Sequence, residues 1–454
     1  MGKWHTVIAA IRAGRTFRTL LWGGLIAQSA LVMVMTKPWL TADSSKYLAL
    51  AESLKSGAFG LLENGVFQPE VVRPPAYPIL LFIVLHLLHQ KIVAVVIIQL
   101  TLYLFSILLL ERTLIKYEFS SLPLLLLALI YPATCAYAAQ IMTEGFSIFL
   151  VALIVFLLAT PKSITVPRLF ASGVLVGAAI LCRPDLLLLP LFLGVTIAIS
   201  DLGKRGLGVI VSKTLAPMIA GCSLLIVPYG VRNYISLGAP SPLPPAGAVG
   251  NSLYTATWES TLTLKDFDSL YAGPVSKAAE DAGYVSEVMR INKSIGAPAM
   301  TPPFNPESYP QELRIKASHA YAKEAVERMR HNPGDYIIHS ISKWWRLFNT
   351  AEYPDRLPIG LRMFLRISSA LIWLLGFAGI IHLFLTGASF GLKIPSVVML
   401  YFPLVHMWLH TEARYTASSR LLLLSNASIL LFVVYRKFVE RRNRAPLRPD
   451  AAMS

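Results

Sequence analysis

Residues 41–54 read TADSSKYLALAESL. The stretch follows directly on an apolar run, yet it carries Asp43, Lys46 and Glu52. Tyr47, Leu50, Ala51 and Leu54 recur at spacings of three and four, while Lys46, Ser53 and Lys55 fall elsewhere. That spacing predicts a helix with one apolar face. Thr41 or Ser44 can cap such a helix, which then starts near Ser45. A short amphipathic helix straight after a bilayer-length run lies along the membrane surface. Asp43 falls at its N-terminal mouth, where the helix dipole favours a carboxylate. This reading makes the preceding run a spanning helix and organises the rest of the chain by spans.

Composition agrees. The chain has 454 residues, 55% hydrophobic and 15% charged, where soluble domains carry about 25% charged residues. Backbone polar groups find no water in lipid, so apolar windows of about 17–25 residues are expected as helices. Ten such windows are read at 20–36, 91–111, 121–139, 145–160, 168–182, 185–200, 214–231, 364–386, 394–410 and 420–436. An even number places both termini on one side. The basic residues fit: Lys3, Arg12, Arg15 and Arg18; Arg112 and Lys116; Lys162 and Arg168; Lys204, Arg205 and Lys213; and the tail from Arg436 to Arg448 all fall on that side, the cytoplasmic one by the positive-inside rule. The net charge of +16 is thus topological, and no nucleic-acid partner is called for. The N-terminus has a basic start and an apolar run but no small-residue cleavage site, and is read as an uncleaved first span. Cys135, Cys182 and Cys222 match no metal or disulfide spacing and read as small buried hydrophobes.

AYPILLFIVLHLLH (76–89) is too short to span, and counting it would put the basic tail outside. It is expected as a re-entrant or interfacial helix on the outer side. The outer segments are then 37–90, the region around YPATCAYAAQIMTEG (131–145), the turn at Arg183-Pro184-Asp185, a long loop of about 232–350, and HTEARYTASSR (410–420). In the long loop, Leu313, Ala317, Tyr321, Ala325 and Met329 recur every four residues and predict a helix that ends at Asn332-Pro333-Gly334. KWWRLF (343–348) has the makeup of a headgroup-layer segment.

Short outer segments should be poor in arginine, yet Arg73, Arg183 and Arg414 lie there with Asp43, Glu144, Asp185 and Glu412. Charges at membrane depth are costly and mark pairing or function. Arginine presents a planar fork suited to phosphate oxygens. An outward acid, several arginines and a lipid-embedded body point to a phosphate-bearing lipid substrate. His406 and His410, four apart, and His86 and His89, three apart, have no matching third ligand and are expected as core or interface histidines.

Several motifs recur in order along nearly the whole chain: D-x-x-x-Y-L-x-x-A-x-x-L from Asp43, R-P-P-x-Y-P from Arg73, T-E at Glu144, C-R-P at Arg183, V-R-N-Y from Val231, N-S-L-Y from Asn251 and E-x-R-Y ending at Tyr415. The order resembles that of GT-C fold glycosyltransferases, the broad group of protein O-mannosyltransferases and lipid A aminoarabinose transferases. The resemblance implies an all-α polytopic membrane enzyme of the cell envelope, with about ten transmembrane helices plus outer juxtamembrane helices. It further implies a hexosyl- or pentosyltransferase with a polyprenyl-phosphate-linked sugar as donor and a lipid, glycan or protein as acceptor. It implies a bacterial inner or plasma membrane location with the active site facing outside. The implied division is a catalytic core at 1–231 with its first outer loop at 37–90, an extracytoplasmic loop or subdomain at 232–350, and C-terminal helices with a basic tail at 351–454. By the same resemblance Asp43 is the catalytic base, Glu144 the second-loop acid, Arg73 part of an element near the donor and Arg414 with Tyr415 part of one near the donor phosphate; Arg73, Arg183 and Arg414 are the candidate phosphate contacts. Tyr77 and Tyr415 are read either as stacking on sugar or prenyl carbon or as interface anchors. Arg73 stands where protein mannosyltransferases carry histidine, and their large inserted domain is missing, which puts a protein acceptor in doubt. The first loop has no second acid beside Asp43, so a divalent cation is left open as a cofactor and no metal ligands are assigned. The alternative is a transporter or flippase of a lipid-linked saccharide; it requires polar groups at mid-membrane depth, whereas the charges here gather at one face.

Overall fold

The structure, a computed structural model, describes residues 2–41, 43–63, 65–160, 164–201, 207–239, 241–246, 249–262, 275–297, 309–349, 359–410 and 413–444. Its main helices are α1 (Gly2–Met35), α2 (Ser44–Ser53), α3 (Ala76–Phe82), α4 (Ile92–Lys116), α5 (Leu122–Ile130), α6 (Ala133–Ala138), α7 (Thr143–Leu158), α8 (Val166–Ile180), α9 (Leu189–Asp201), α10 (Ala216–Leu237), α11 (Val249–Ala256), α12 (Tyr284–Ser294), α13 (Gln311–His331), α14 (Pro333–Asn349), α15 (Ile359–Leu385), α16 (Phe390–His406) and α17 (Ala417–Arg444). One antiparallel hairpin, β1 (Gly60–Glu63) with β2 (Val66–Pro69), interrupts the helices, Gly60 facing Pro69 and Glu63 facing Val66. The architecture is that of an all-α polytopic membrane protein.

Each of the ten apolar windows forms helix, but not each forms a span-length one. Among the described residues, five helices are long and apolar enough to cross a membrane: Gly14–Met35, Ile92–Lys116, Val211–Leu237, Arg362–Leu385 and Arg414–Arg441. The window 121–139 breaks after Ile130 into α5 and α6, because Pro132 has no N–H to continue the ladder. Helices α7, α8, α16 and the segment Pro184–Ser200 are apolar but shorter. The 76–89 segment is a short helix, α3 running on into a wider π turn over Ile83–Leu87.

Burial follows the sequence pattern. One large apolar cluster runs from Leu21 to Ile429 through nearly all the membrane helices. A second cluster joins α11, α12 and α13 around Tyr254, Trp258, Tyr284, Ala317, Tyr321 and Ala325. The four-residue stripe read in α13 is thus the face that packs against α11 and α12, and α13 ends at His331 before Pro333 opens α14.

Lipid is as apolar as leucine, so membrane helices associate through close packing of small residues. Helices α8 and α10 do so. A Cβ built on Gly173 would meet the Met218 carbonyl oxygen at 2.1 Å, and one on Gly221 would meet the Phe170 oxygen at 2.2 Å. Gly173→Val is therefore expected to cost about 1–3 kcal/mol by overpacking, read as a lower unfolding midpoint in detergent. Gly23 has no atom within 4 Å of such a Cβ, so Gly23→Ala should leave the midpoint unchanged.

At the end of the bundle where the basic residues were expected inside, Glu111 is fully buried. Its carboxylate accepts from Arg18 Nε at 2.6 Å, Arg18 Nη2 at 2.9 Å and Ser121 Oγ at 2.8 Å. A buried charge persists only when paired and hydrogen-bonded in this way, and the pair fixes α1 against α4.

At the opposite end, backbone bonds draw distant segments together. Ile141 N donates to Trp39 O and Ser44 Oγ to Ile141 O, each at 2.8 Å. Ala76 N donates to Leu181 O and Ala246 N to Val71 O, each at 2.9 Å. The starts of α2, α3 and α7 and the end of α8 are thereby held around one opening.

Candidate active site

Helix α2 begins at Ser44, one residue earlier than expected, and its capping differs. Asp43 sits at the N-cap position but makes no side-chain cap bond. Ser44 Oγ instead accepts from Thr41 N at 2.8 Å. The Asp43 carboxylate is engaged elsewhere: Oδ1 accepts from Arg73 Nη2 at 3.1 Å and Oδ2 from Arg414 Nη1 at 3.3 Å. Leu50 and Ala51 of the expected apolar face are fully buried.

Arg73 is positioned from its backbone. Buried Glu70 accepts from Val72 N at 2.6 Å and Arg73 N at 2.9 Å through one carboxylate oxygen. Arg232 in turn donates to Glu70 O at 2.9 Å and Phe59 O at 2.6 Å, which ties the hairpin's approach to α10. The guanidinium of Arg73 lies 5.8 Å from the Tyr47 ring. Arg414 comes from a short turn, Ala413–Thr416, just before α17; Thr416 Oγ1 donates to Leu347 O at 2.9 Å and anchors that turn to α14.

A second charge group lies beside the first. Glu144, in the first turn of α7, faces Arg183 Nη1 at 3.5 Å. Arg183 is bidentate on Asp185, Nε to Oδ1 at 3.2 Å and Nη2 to Oδ2 at 3.0 Å. His406 Nε2 lies 2.9 Å from Asp185 Oδ2; a carboxylate only accepts, so this nitrogen carries the proton. The His406 ring stacks on Tyr415, centroids 5.2 Å apart and planes 16° apart. Burial opposes ionisation of Asp185, but Arg183 and His406 outweigh it and hold its carboxyl below the usual carboxylate range. Burial likewise opposes the Arg183 charge, and Asp185 and Glu144 overcome it.

The sign for stability follows. Asp185 binds its proton more weakly folded than unfolded, so its contribution is present above about pH 4 and is lost as pH falls through its lower folded value. Asp185→Asn should lower the unfolding midpoint at pH 7 and flatten its decline between pH 4 and pH 2, as read by thermal melts across that range.

Both groups line a cavity of about 1010 Å³. Ligand pockets run about 300–1,000 Å³, so this one is large. Asp43, Arg73, Glu144, Arg183, Arg414 and Tyr415, all read from sequence as site residues, stand in its wall. Tyr77 does not: it is fully buried, its hydroxyl donates to Gln99 Oε1 at 2.6 Å, and Tyr47 packs edge-on against it at 5.1 Å. Of this pair, Tyr47 is the one that lines the cavity. Burial, with Asp43 nearby, raises the Tyr47 phenol above its ordinary value, so it stays neutral. His406 and His410 also line the cavity, where sequence reading had expected core or interface roles; their four-residue spacing was the available signal. Asn251, which opens the N-S-L-Y motif on α11, and Arg314 of α13, not singled out from the sequence, also stand in the wall. Glu412 lies outside the described residues. Among the described residues no three His, Cys, Asp or Glu side chains gather as a metal site.

The other half of the cavity is apolar. Leu188, Leu191, Phe192 and Val195 on the α9 side and Leu404 and Val405 on α16 form it. Leu188 and Leu191 are 54% and 57% exposed, which opens this half toward the outer surface of the helices. The cavity therefore has a charged head and an apolar flank, the shape of an amphiphile.

No protein-family model and no curated protein matches the chain. Among solved structures the chain is similar to ArnT from Cupriavidus metallidurans bound to undecaprenyl phosphate, at 13% identity over 93% of this chain and 80% of that one, with a TM-score of 0.39. It is also similar to the apo state of that protein, at 15% identity over 89% of this chain and 76% of that one, with a TM-score of 0.37.

Proposed function

We propose that the protein is a membrane glycosyltransferase of GT-C type that moves a sugar from a polyprenyl-phosphate-linked donor to an acceptor hydroxyl on the extracytoplasmic side. The observation that carries the reading is the amphiphilic cavity, in which Asp43 with Arg73 and Arg414 stand at the head and Leu188, Leu191 and Leu404 along the flank. The prenyl chain takes the flank and the phosphate takes the arginines.

In this mechanism Asp43 removes the proton from the acceptor hydroxyl as that oxygen bonds to the anomeric carbon. The bond from that carbon to the phosphate oxygen breaks, and polyprenyl phosphate leaves with the electron pair. Charge grows on the phosphate, so nearby guanidinium donors, that of Arg183 held by Glu144 and Asp185 and that of Arg73 carried on a backbone held by Glu70, stabilise the transition state more than the ground state. Arg73 and Arg414 must pass from Asp43 to the phosphate for this to occur, which leaves Asp43 accessible to the acceptor. Glu144 orients Arg183. Residues 1–231 and 351–454 supply the core, and 232–350 the outer subdomain that covers one wall.

The test is incubation of purified protein with a panel of polyprenyl-phosphate hexoses and pentoses, followed by assay of free polyprenyl phosphate. Release with one donor is the expected result. Binding of donors without release from any would support the transporter reading instead.

A further inference from the structure

A buried charge cluster lies just outside the cavity. Glu259 is 3% and Lys343 2% exposed, and Lys343 Nζ lies 3.2 Å from Glu259 Oε2. Lys343 also donates to Ala256 O, the last carbonyl of α11, at 2.9 Å, where the helix dipole favours a cation. The second oxygen of Glu259 is hydrogen-bonded to His410 Nδ1. His410 is held by its backbone too, its N–H donating to Ser252 O at 3.0 Å. One residue pair in the outer subdomain thus fixes a histidine that stands in the cavity wall.

We infer that His410, oriented by Glu259 and Lys343, is a contact for the hydroxyls of the transferred sugar, and that this wall sets sugar recognition. The inference rests on the donor proposed above. Next to Asp43 the wall is ionic, as a phosphate requires. Toward His410 it gains flat rings: Tyr415, which lies 5.5 Å from Arg414 and 5.7 Å from Arg183 and stacks on His406, meets the His410 ring edge-on at 6.3 Å, and Ser252 and Asn251 adjoin. Flat rings beside neutral donors and acceptors suit a carbohydrate, which offers C–H faces and hydroxyls and no charge. A carboxylate on Nδ1 fixes the ring plane and the tautomer and thereby aims the opposite edge. Glu259 and Lys343 are positioning residues, acting through His410.

The experiment compares two probes on full-length protein in detergent: bare polyprenyl phosphate, and the polyprenyl-phosphate sugar that the panel assay identifies. His410→Ala should weaken binding of the sugar-bearing lipid about tenfold, the loss of one or two hydrogen bonds, and leave bare polyprenyl phosphate unchanged. His410→Gln, which keeps a hydrogen-bonding edge, guards against simple misfolding and should recover part of the difference. Glu259→Leu should reproduce the His410→Ala pattern, and Glu259→Gln should soften it. Equal weakening of both probes would assign this wall to the phosphate, with Arg314 as its cation, and overturn the inference; so would no change in either. Wild-type protein that binds neither probe would overturn the donor proposal, and this inference with it.

Discussion

Asp43→Asn should lower turnover about 10²- to 10⁴-fold, the usual share of a general base, while donor binding is kept or tightened. The carboxylate is bound by two guanidinium groups, at 3.1 and 3.3 Å. Its amide replacement has nearly the same shape but accepts no proton at neutral pH. It also releases both arginines from an ionic partner, so each meets the donor phosphate with less competition. The pattern to look for is a collapse of kcat with an unchanged or lower dissociation constant for polyprenyl phosphate. Near-normal turnover in this variant would remove Asp43 as the base, and loss of donor binding would make it a structural partner of Arg73.

The second large effect is expected at Arg183. It is 6% exposed and joins Glu144 to Asp185. Its pairs are not evidence of net stabilisation, since two desolvated charges roughly offset their attraction. Removing one partner is different. Arg183→Leu leaves buried Glu144 without its guanidinium and Asp185 with His406 alone, at a cost of about 3–5 kcal/mol. The unfolding midpoint in detergent should fall steeply at pH 7. A combined Arg183→Leu with Glu144→Gln and Asp185→Asn should restore much of the stability while leaving transfer impaired. A triple variant as unstable as the single one would show that the guanidinium, and not the stranded charge, carries the effect.

The helical body was legible because a lipid solvent enforces one solution for the backbone, and the apolar windows mark it. The charged head was legible for a related reason: Asp43, Arg73, Glu144, Arg183 and Arg414 stand out against an apolar background where each carries a cost. Span lengths were less so, since Pro132 splits a window that hydropathy reads as continuous. The β1–β2 hairpin was missed because four-residue strands around a glycine turn give too little periodicity. Tyr77 and Tyr47 were exchanged in role: R-P-P-x-Y-P fixes where a tyrosine is, but which side of α3 meets the cavity depends on how α2 packs against it. The linkage of Glu259, Lys343 and His410 joins residues from 259 to 410 that only the fold brings together.

Asp43 and Arg414 are 371 residues apart in the chain, and the second guanidinium on the carboxylate arrives on the turn that precedes α17. The head of the cavity is therefore completed long after Asp43 itself has been made. A nascent chain that has inserted its first helices already displays Asp43 and Arg73, but not the residue that completes the head of the cavity. Until the turn at Ala413–Thr416 has followed, Asp43 has Arg73 beside it without Arg414, and the proposed centre is incomplete.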